Sequence, residues 1–250
     1  MSVPSNVVSI MNPTIPVDQS IYEQSSTQKA RLGTRLPVGD RVFYYAQLST
    51  SANGTAGNVV CSPPLIASHQ AGIVNCAAAT TGAKTVTVTM GTAMTVNAYA
   101  EGYISKATGA GMGTLYRIKS HPAIATAATG SITLYDAIPG TIAAGAVNFT
   151  PNLFKDVKVG SQVLDTPIGV LPIAVTTGNY FWLQTWGPAA PVHTAATPAA
   201  AAITLGTLGS VVAARSGTEG GGATITEIGK NLNLAATAAE TNPVFLTILP

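Results

Sequence analysis

The chain has 250 residues, with 12 Lys and Arg against 10 Asp and Glu and a net charge of +2. Charged residues make up 9 %, where a soluble globular domain carries about 25 %. The 46 % hydrophobic content argues against intrinsic disorder, and so small a cationic excess argues against a strongly basic nucleic-acid binder.

Residues 1–40 contain Pro4, Pro13 and Pro16 and the polar run Gln24-Ser25-Ser26-Thr27-Gln28, with too few apolar residues for a core of their own. They read as an extended N-terminal arm that orders on a partner. The alternative is a short helix over Asp18–Ala30, N-capped by Asp18 and ended before Gly33. The first twenty residues have neither a basic stretch nor a continuous apolar one, so no secretory signal is expected.

From Arg41 the pattern is β. Arg41-Val-Phe-Tyr-Tyr-Ala-Gln-Leu48 is aromatic-rich and bounded by turn residues, and Lys84-Thr-Val-Thr-Val-Thr-Met90 alternates Thr with apolar residues. Further strands are expected at Tyr99–Lys106, Thr114–Lys119, Ser131–Tyr135, Val157–Leu164, Ile168–Thr176, Tyr180–Trp186, Ile203–Val212 and Pro243–Leu249. Turn signals separate them at Asn53-Gly54, Thr108-Gly109, Ile138-Pro139-Gly140, Thr177-Gly178-Asn179 and Gly220-Gly221-Gly222. The Ala-rich pieces near Ala123–Ala128 and Ala199–Ala202 are interrupted by Thr, Gly or Pro and are not read as helices. The expected fold is therefore all-β, a β-sandwich or barrel-like core over residues 41–250 with an extended N-terminal arm over 1–40. A subdivision near Thr150-Pro151 is compatible with the composition.

No membrane span is expected, because the charge-free stretches Val42–Ala83 and Thr166–Ala214 are broken by Pro, Gly, Asn, Gln and His. His69, His121 and His193 share no metal-ligand spacing and sit in loop-like contexts, so they read as ordinary surface or turn histidines, with no metal and no cofactor. Cys61 and Cys76 form no disulfide framework, and a single bridge between them is left open. Gly109-Ala-Gly111-Met-Gly113 lacks the GxGxxG spacing and a following helix, so it reads as a hairpin turn and not as a nucleotide loop. No nucleophile elbow or paired carboxylates mark an enzyme.

Two groups stand out as interface candidates. Lys29, Arg31, Arg35 and Arg41, relieved by Asp40, are read either as a solvated strand entry or as a docking surface for an acidic partner. Trp182 and Trp186 fall at i and i+4 of an expected strand, which puts them on one side, in a core or at a subunit interface. A chain so poor in charge needs either a neutral Thr/Ser/Asn surface or burial against other subunits, which points to an assembly component.

Arg31-Leu-Gly-Thr-Arg-Leu-Pro-Val-Gly-Asp-Arg-Val-Phe-Tyr-Tyr-Ala46 resembles the "GTR…(D)GRVF.YA" opening of a family of tailed-bacteriophage virion proteins, many of them from uncultured marine phages. Ala100-Glu-Gly-Tyr-Ile104, Gly113-Thr-Leu-Tyr-Arg-Ile-Lys119, Thr133-Leu-Tyr-Asp136 and Pro167-Ile-Gly-Val170 continue the resemblance. It is firmest at Thr177-Gly-Asn-Tyr-Phe-Trp-Leu-Gln-Thr-Trp-Gly-Pro-Ala189, similar to the family's "GYYFWLQTRGPA" strand, although Trp186 stands where other members often carry a charged or smaller residue. The resemblance implies a non-enzymatic capsid decoration (cement) protein, a β-rich homotrimer seated on the major capsid protein at the outer capsid surface. It would be assembled in the bacterial host cytoplasm and stabilise the shell against packaged DNA. A tail, baseplate or fibre-associated protein is the alternative. A host-glycan-binding module with a Tyr180–Trp182–Trp186 platform is another, and a polysaccharide depolymerase is the weakest.

Overall fold

Val86 and Val88 are buried while Thr85, Thr87 and Thr89 are exposed, so this alternating segment forms a strand with one dry face. The computed structural model describes residues 18–63, 65–69, 74–160, 166–193, 197–198, 202–205, 211–213, 227–232, 235–236 and 240–250, and these are almost entirely β. In chain order the first strands are β1 (Gln24–Ser25), β2 (Arg35–Val38), β3 (Arg41–Gln47), β4 (Val59–Cys61) and β5 (Asn75–Cys76). They are followed by β6 (Thr85–Thr89), β7 (Tyr103–Lys106), β8 (Leu115–Ser120), β9 (Thr129–Leu134) and β10 (Gly145–Thr150). The later strands are β11 (Lys158–Val159), β12 (Pro167–Val170), β13 (Tyr180–Ala189), β14 (Thr197–Pro198) and β15 (Ala202–Leu205). The last are β16 (Val211–Ala213), β17 (Glu227–Asn231), β18 (Ala235–Ala236) and β19 (Val244–Thr247).

Six of these strands close into an antiparallel barrel in the order β10-β5-β6-β9-β8-β7. Closure leaves no free edge, and Val86, Val88, Ile104, Ile118, Ile132, Leu134, Val147 and Phe149 fill the interior. Eleven strands form a second, open sheet. The two parts are nested. The chain leaves the sheet at Cys61 and returns at Lys158, and those two residues are paired with each other, so the whole barrel is an insertion between β4 and β11. The last strand of the barrel, β10, ends at Thr150.

The spine of the open sheet is β13, which pairs with β1, β3, β12 and β19. Its aromatic partner β3 matches the expected strand, and the β2–β3 hairpin turns at Gly39, whose φ of 60° needs glycine. One apolar cluster gathers Phe43, Tyr45, Leu48, Phe181 and Trp182, and another gathers Val59, Val170, Ile203, Ile228 and Leu246.

Residues 18–40 differ from the expected arm and from the alternative helix. Gln24 and Ser25 pair with Phe181 and Tyr180, and Arg35–Val38 pair with β3. The segment needs no core of its own, because it borrows the aromatic one of β3 and β13. The rest of the expected arm, residues 1–17, lies outside the described residues. Tyr99–Lys106 becomes a strand only at Tyr103, because residues 97–101 form a turn with Asn97 at φ 54° and Glu101 at φ 64°. Ile203–Val212 proves to be two strands, β15 and β16, paired to each other. Gly54, expected in a turn, forms an antiparallel bridge with Val175. Residues 161–164 of the expected Val157–Leu164 strand, the Ala199–Ala202 piece up to 201 and the Gly220–Gly222 turn lie outside the described residues.

Candidate functional site

The four basic residues singled out in the sequence do not form one patch. Lys29 Nζ lies 3.9 Å from Asp18 Oδ2. Arg31 stacks over the ring of Tyr135 at the end of β9, with its guanidinium 5.1 Å from the centroid, and Arg117 approaches the same ring at 5.5 Å. Arg35 donates to the carbonyl of Pro250 at 3.1 Å, and Arg41 donates to the Tyr22 hydroxyl at 3.3 Å. Arg31 is thus spent on the contact between the N-terminal segment and the barrel, and the other three on the open-sheet side.

That contact centres on Glu101. Its carboxylate accepts the Gln28 side-chain amide at 2.9 Å and the Leu32 backbone N–H at 2.9 Å, and lies 3.7 Å from Arg117 Nη2. The Asn152 side chain donates to the Glu101 carbonyl at 3.0 Å. One residue of the barrel therefore holds two segments of the sheet unit, an arrangement with no local signal in the sequence.

The tryptophans also part. Opposite β3, Trp182 pairs with Tyr45 and Gln184 with Phe43, but Trp186 pairs with Val42. Thr185 is the extra residue of a β-bulge, and it reverses the alternation, so Trp186 lies on the face opposite Trp182. The expected shared face is thereby corrected. Trp182 has no exposed surface, packs edge-on against Tyr45 at 5.0 Å and donates its indole N–H to the Gln19 carbonyl at 3.1 Å. It is a core residue of this chain, which removes the Tyr180–Trp182–Trp186 sugar platform. Trp186 is half-buried against Phe245, 5.6 Å away.

The histidines are the largest departure from the sequence reading. His69 and His121 are 3 % exposed and His193 is fully buried, so none is a surface residue. His69, in a 3-10 turn over Ala67–His69, and His121, just beyond β8, meet on Tyr99. His121 Nε2 accepts the Tyr99 backbone N–H at 3.0 Å, and its Nδ1–H donates to the Pro122 carbonyl at 2.9 Å, which together define a neutral ring of one tautomer. His69 Nδ1 lies 2.8 Å from the Tyr99 hydroxyl, whose pKa burial pushes up to about 12, so the phenol keeps its proton and shares a hydrogen bond with the ring. Burial lowers both imidazoles; the Pro122 carbonyl opposes this at His121, and the charge of Lys155 adds to it. Lys155 Nζ bonds the carbonyl of Asn97 and lies 3.4 Å from that of Ala98. The spacing of 52 residues between the two rings hid this cluster; only the barrel closure brings them together.

Gly109, Gly111 and Gly113 have φ of 83°, 97° and 81° and form the β7–β8 turn, as the spacing indicated. Cys61 and Cys76 are both buried free thiols, one in the sheet and one in the barrel, which closes the question of a bridge. A cleft bordered by Cys76, Lys106 and Tyr116 has a volume of about 10 Å³, the room of roughly one water. Among the described residues no three His, Cys, Asp or Glu side chains gather as a metal site, and no helix is long and apolar enough to cross a membrane.

The outer face of β6 and β9 is a two-row array of hydroxyls. Thr85, Thr87 and Thr89 stand opposite Thr133, Ser131 and Thr129, with Thr89 and Thr129 hydroxyls 3.3 Å apart. Leu65, Ile66 and Val96 at one end of the barrel, and Met112 and Leu115 on the β7–β8 hairpin, are exposed large apolar side chains. No protein-family model, curated protein or solved structure matches this chain.

Proposed function

We propose that the chain is a structural, non-enzymatic subunit of a tailed-phage virion. In this reading it is a capsid decoration protein that sits as a homotrimer on the outer lattice of the major capsid protein. The observation that carries the reading is the hydroxyl face of β6 and β9, a broad polar surface with no charge on a barrel that offers no strand edge. Such a face is soluble on its own, and covering it with a neutral partner strands no ion without water. The resemblance to the virion-protein family points the same way; its firmest segment, Thr177–Ala189, contains β13, which pairs with β3 of the Arg31–Ala46 segment.

The proposed mechanism is mechanical. Three copies of one contact patch bind a lattice at high effective concentration once the first is engaged, and binding only the assembled shell stabilises it by mass action. The basic residues contribute little to a docking surface here, being engaged within the chain. Residues 18–30 belong to the fold and not to a free arm, since cutting at residue 30 would remove Gln19 and Gln24, which hold β13.

The test is the copy number of the chain relative to the major capsid protein in purified particles of the phage that encodes it, by quantitative mass spectrometry. A ratio near one to one is expected. A ratio of a few per cent would move the chain to the tail or a vertex, and absence from the particle would overturn the reading.

A further inference from the structure

The His121–Tyr99 bond has a polarity that acid cannot preserve. Nε2 of His121 points its lone pair at the Tyr99 backbone N–H, 3.0 Å away, while Nδ1 already gives its hydrogen to Pro122. The only place for another proton is Nε2, and there it would face the Tyr99 hydrogen. His69 is different. Its Nδ1 meets a hydroxyl, which can donate or accept, so the bond survives when the ring takes a proton.

We propose that His121 is an acid-operated catch on one end of the barrel, and that its protonation releases the 97–101 turn and with it the 65–69 segment. The physical coupling is short. Tyr99 sits in a turn held in the left-handed region at both ends, Asn97 and Glu101, and that conformation persists only while its contacts hold it. Asn97 Oδ1 accepts the His121 backbone N–H at 2.9 Å, the Asn97 N–H donates to the His121 carbonyl at 3.2 Å and the Glu101 N–H to the Ile118 carbonyl at 2.9 Å, so the turn is joined to the end of β8 by backbone bonds on both sides of the one titratable contact, Tyr99 N–H on His121 Nε2. The 65–69 segment is joined to the same loop by His69 on Tyr99 and by Thr92 donating to the Ser68 hydroxyl at 2.9 Å. When Tyr99 moves, His69 loses this hydrogen-bond partner, and the exposed Leu65 and Ile66 beside it come free with the segment.

The groups that face His121 are His69 from the 3-10 turn, Tyr99 from the loop and Lys155 from the segment after β10. Phe149 of β10 packs on Tyr99 and brings no charge. Both His69 and Lys155, when charged, oppose a proton on His121; burial lowers the Lys155 ammonium itself, and the Asp156 and Glu101 carboxylates oppose that lowering. The catch is therefore set to open below the ordinary histidine range. This device stands independently of the virion reading.

Hydrogen exchange on the full-length chain from pH 7.5 to 4.5, corrected for intrinsic rates and read by mass spectrometry over peptides spanning 65–69 and 91–101, tests it. Exchange there should rise by up to about tenfold per pH unit below 6.5 while the β3 and β13 peptides stay protected. His121→Gln keeps an acceptor for the Tyr99 N–H but takes no proton, and should exchange independently of pH. His69→Gln should retain the transition, and Lys155→Met should move it to higher pH. Unchanged protection of 91–101 down to pH 4.5, loss of protection simultaneously across the sheet, or the same opening in His121→Gln would each overturn the proposal. Should His121→Gln fail to fold, the wild-type His121 ring resonances, followed by NMR, must titrate at the pH where the Tyr99 amide loses protection; titration at an ordinary histidine pH with that amide still protected would reject it.

Discussion

Trp182 and Trp186 are four residues apart on one strand and stand on opposite faces of it. The bulge at Thr185 separates them, and the buried Thr185 hydroxyl holds the bulge by donating to the Leu249 carbonyl at 2.6 Å. The consequence is one tryptophan in a dry aromatic core and one beside Phe245 at the sheet's other side.

Trp186→Phe should leave a protein whose single remaining indole, Trp182, emits at short wavelength and resists acrylamide quenching. Trp182→Ala should cost about 3–5 kcal/mol, as for other large-to-small changes at buried aromatic sites. Urea unfolding followed by circular dichroism checks the second. An exposed emission from Trp182 in the first variant would contradict the packing.

The pH dependence of stability follows from buried titratable groups, the three histidines on the acid side and Tyr99 together with Tyr45 on the alkaline side, both tyrosines raised by burial. His69, His121 and His193 are held below their ordinary value by burial, so the unfolded chain binds protons that the folded chain refuses. Stability is present above about pH 6.5 and falls as pH drops, by up to about 1.4 kcal/mol per pH unit for each ring. Tyr99 has the opposite sign. Its pKa is raised from 10.0 to about 12, so stability is intact below pH 10 and is lost as pH climbs toward 12, by about 3 kcal/mol in all. Denaturant titrations across pH 4.5–11.5 should trace a dome, and Tyr99→Phe should make the alkaline limb shallower, with Tyr45 supplying part of what remains.

Glu101→Gln keeps the side-chain length but removes the charge that the Leu32 N–H and Arg117 share. A loss of about 1.5–3 kcal/mol is expected, the usual worth of a charge-assisted hydrogen bond with little exposure. Limited proteolysis should find new cleavage between Gln28 and Leu32. Equal stability and an unchanged digest would show that the junction does not depend on this carboxylate.

Gly39 and Gly187 both have positive φ, 60° and 84°, but differ in space. A Cβ on Gly39 meets nothing within 4 Å, whereas one on Gly187 would overlap the Asp40 carbonyl. Gly39→Ala should cost about 1–2 kcal/mol from backbone conformation alone. Gly187→Ala should cost more, because the β2–β3 turn must also shift, and the difference should appear in thermal unfolding midpoints.

Thr87→Lys places a charge in the middle of the hydroxyl face without touching the core. Its stability should stay within about 0.5 kcal/mol of the parent. In the proposed role, occupancy on particles should fall sharply, measured by competitive loading of the two proteins onto undecorated shells. Equal loading would remove this face from the contact.

The strands that rest on local alternation were legible from the chain alone. Thr85–Thr89 and Arg41–Gln47 carry their burial pattern in neighbouring residues, and Gly109, Gly111 and Gly113 declare a turn through the conformation only glycine adopts readily. The all-β class follows, since a period of two needs no distant information. What the chain alone did not contain was every relationship set by closure and pairing. The insertion of the barrel between Cys61 and Lys158, the grip of Glu101 on Gln28 and Leu32, and the meeting of His69 and His121 on Tyr99 join residues 22 to 97 positions apart. The same holds for Trp186, because a bulge is a mismatch between two strands and has no existence in either one. Residues 18–40 show the reason most plainly. Too polar to build a core, they are ordered by one that lies more than a hundred residues away, in Tyr180 and Trp182.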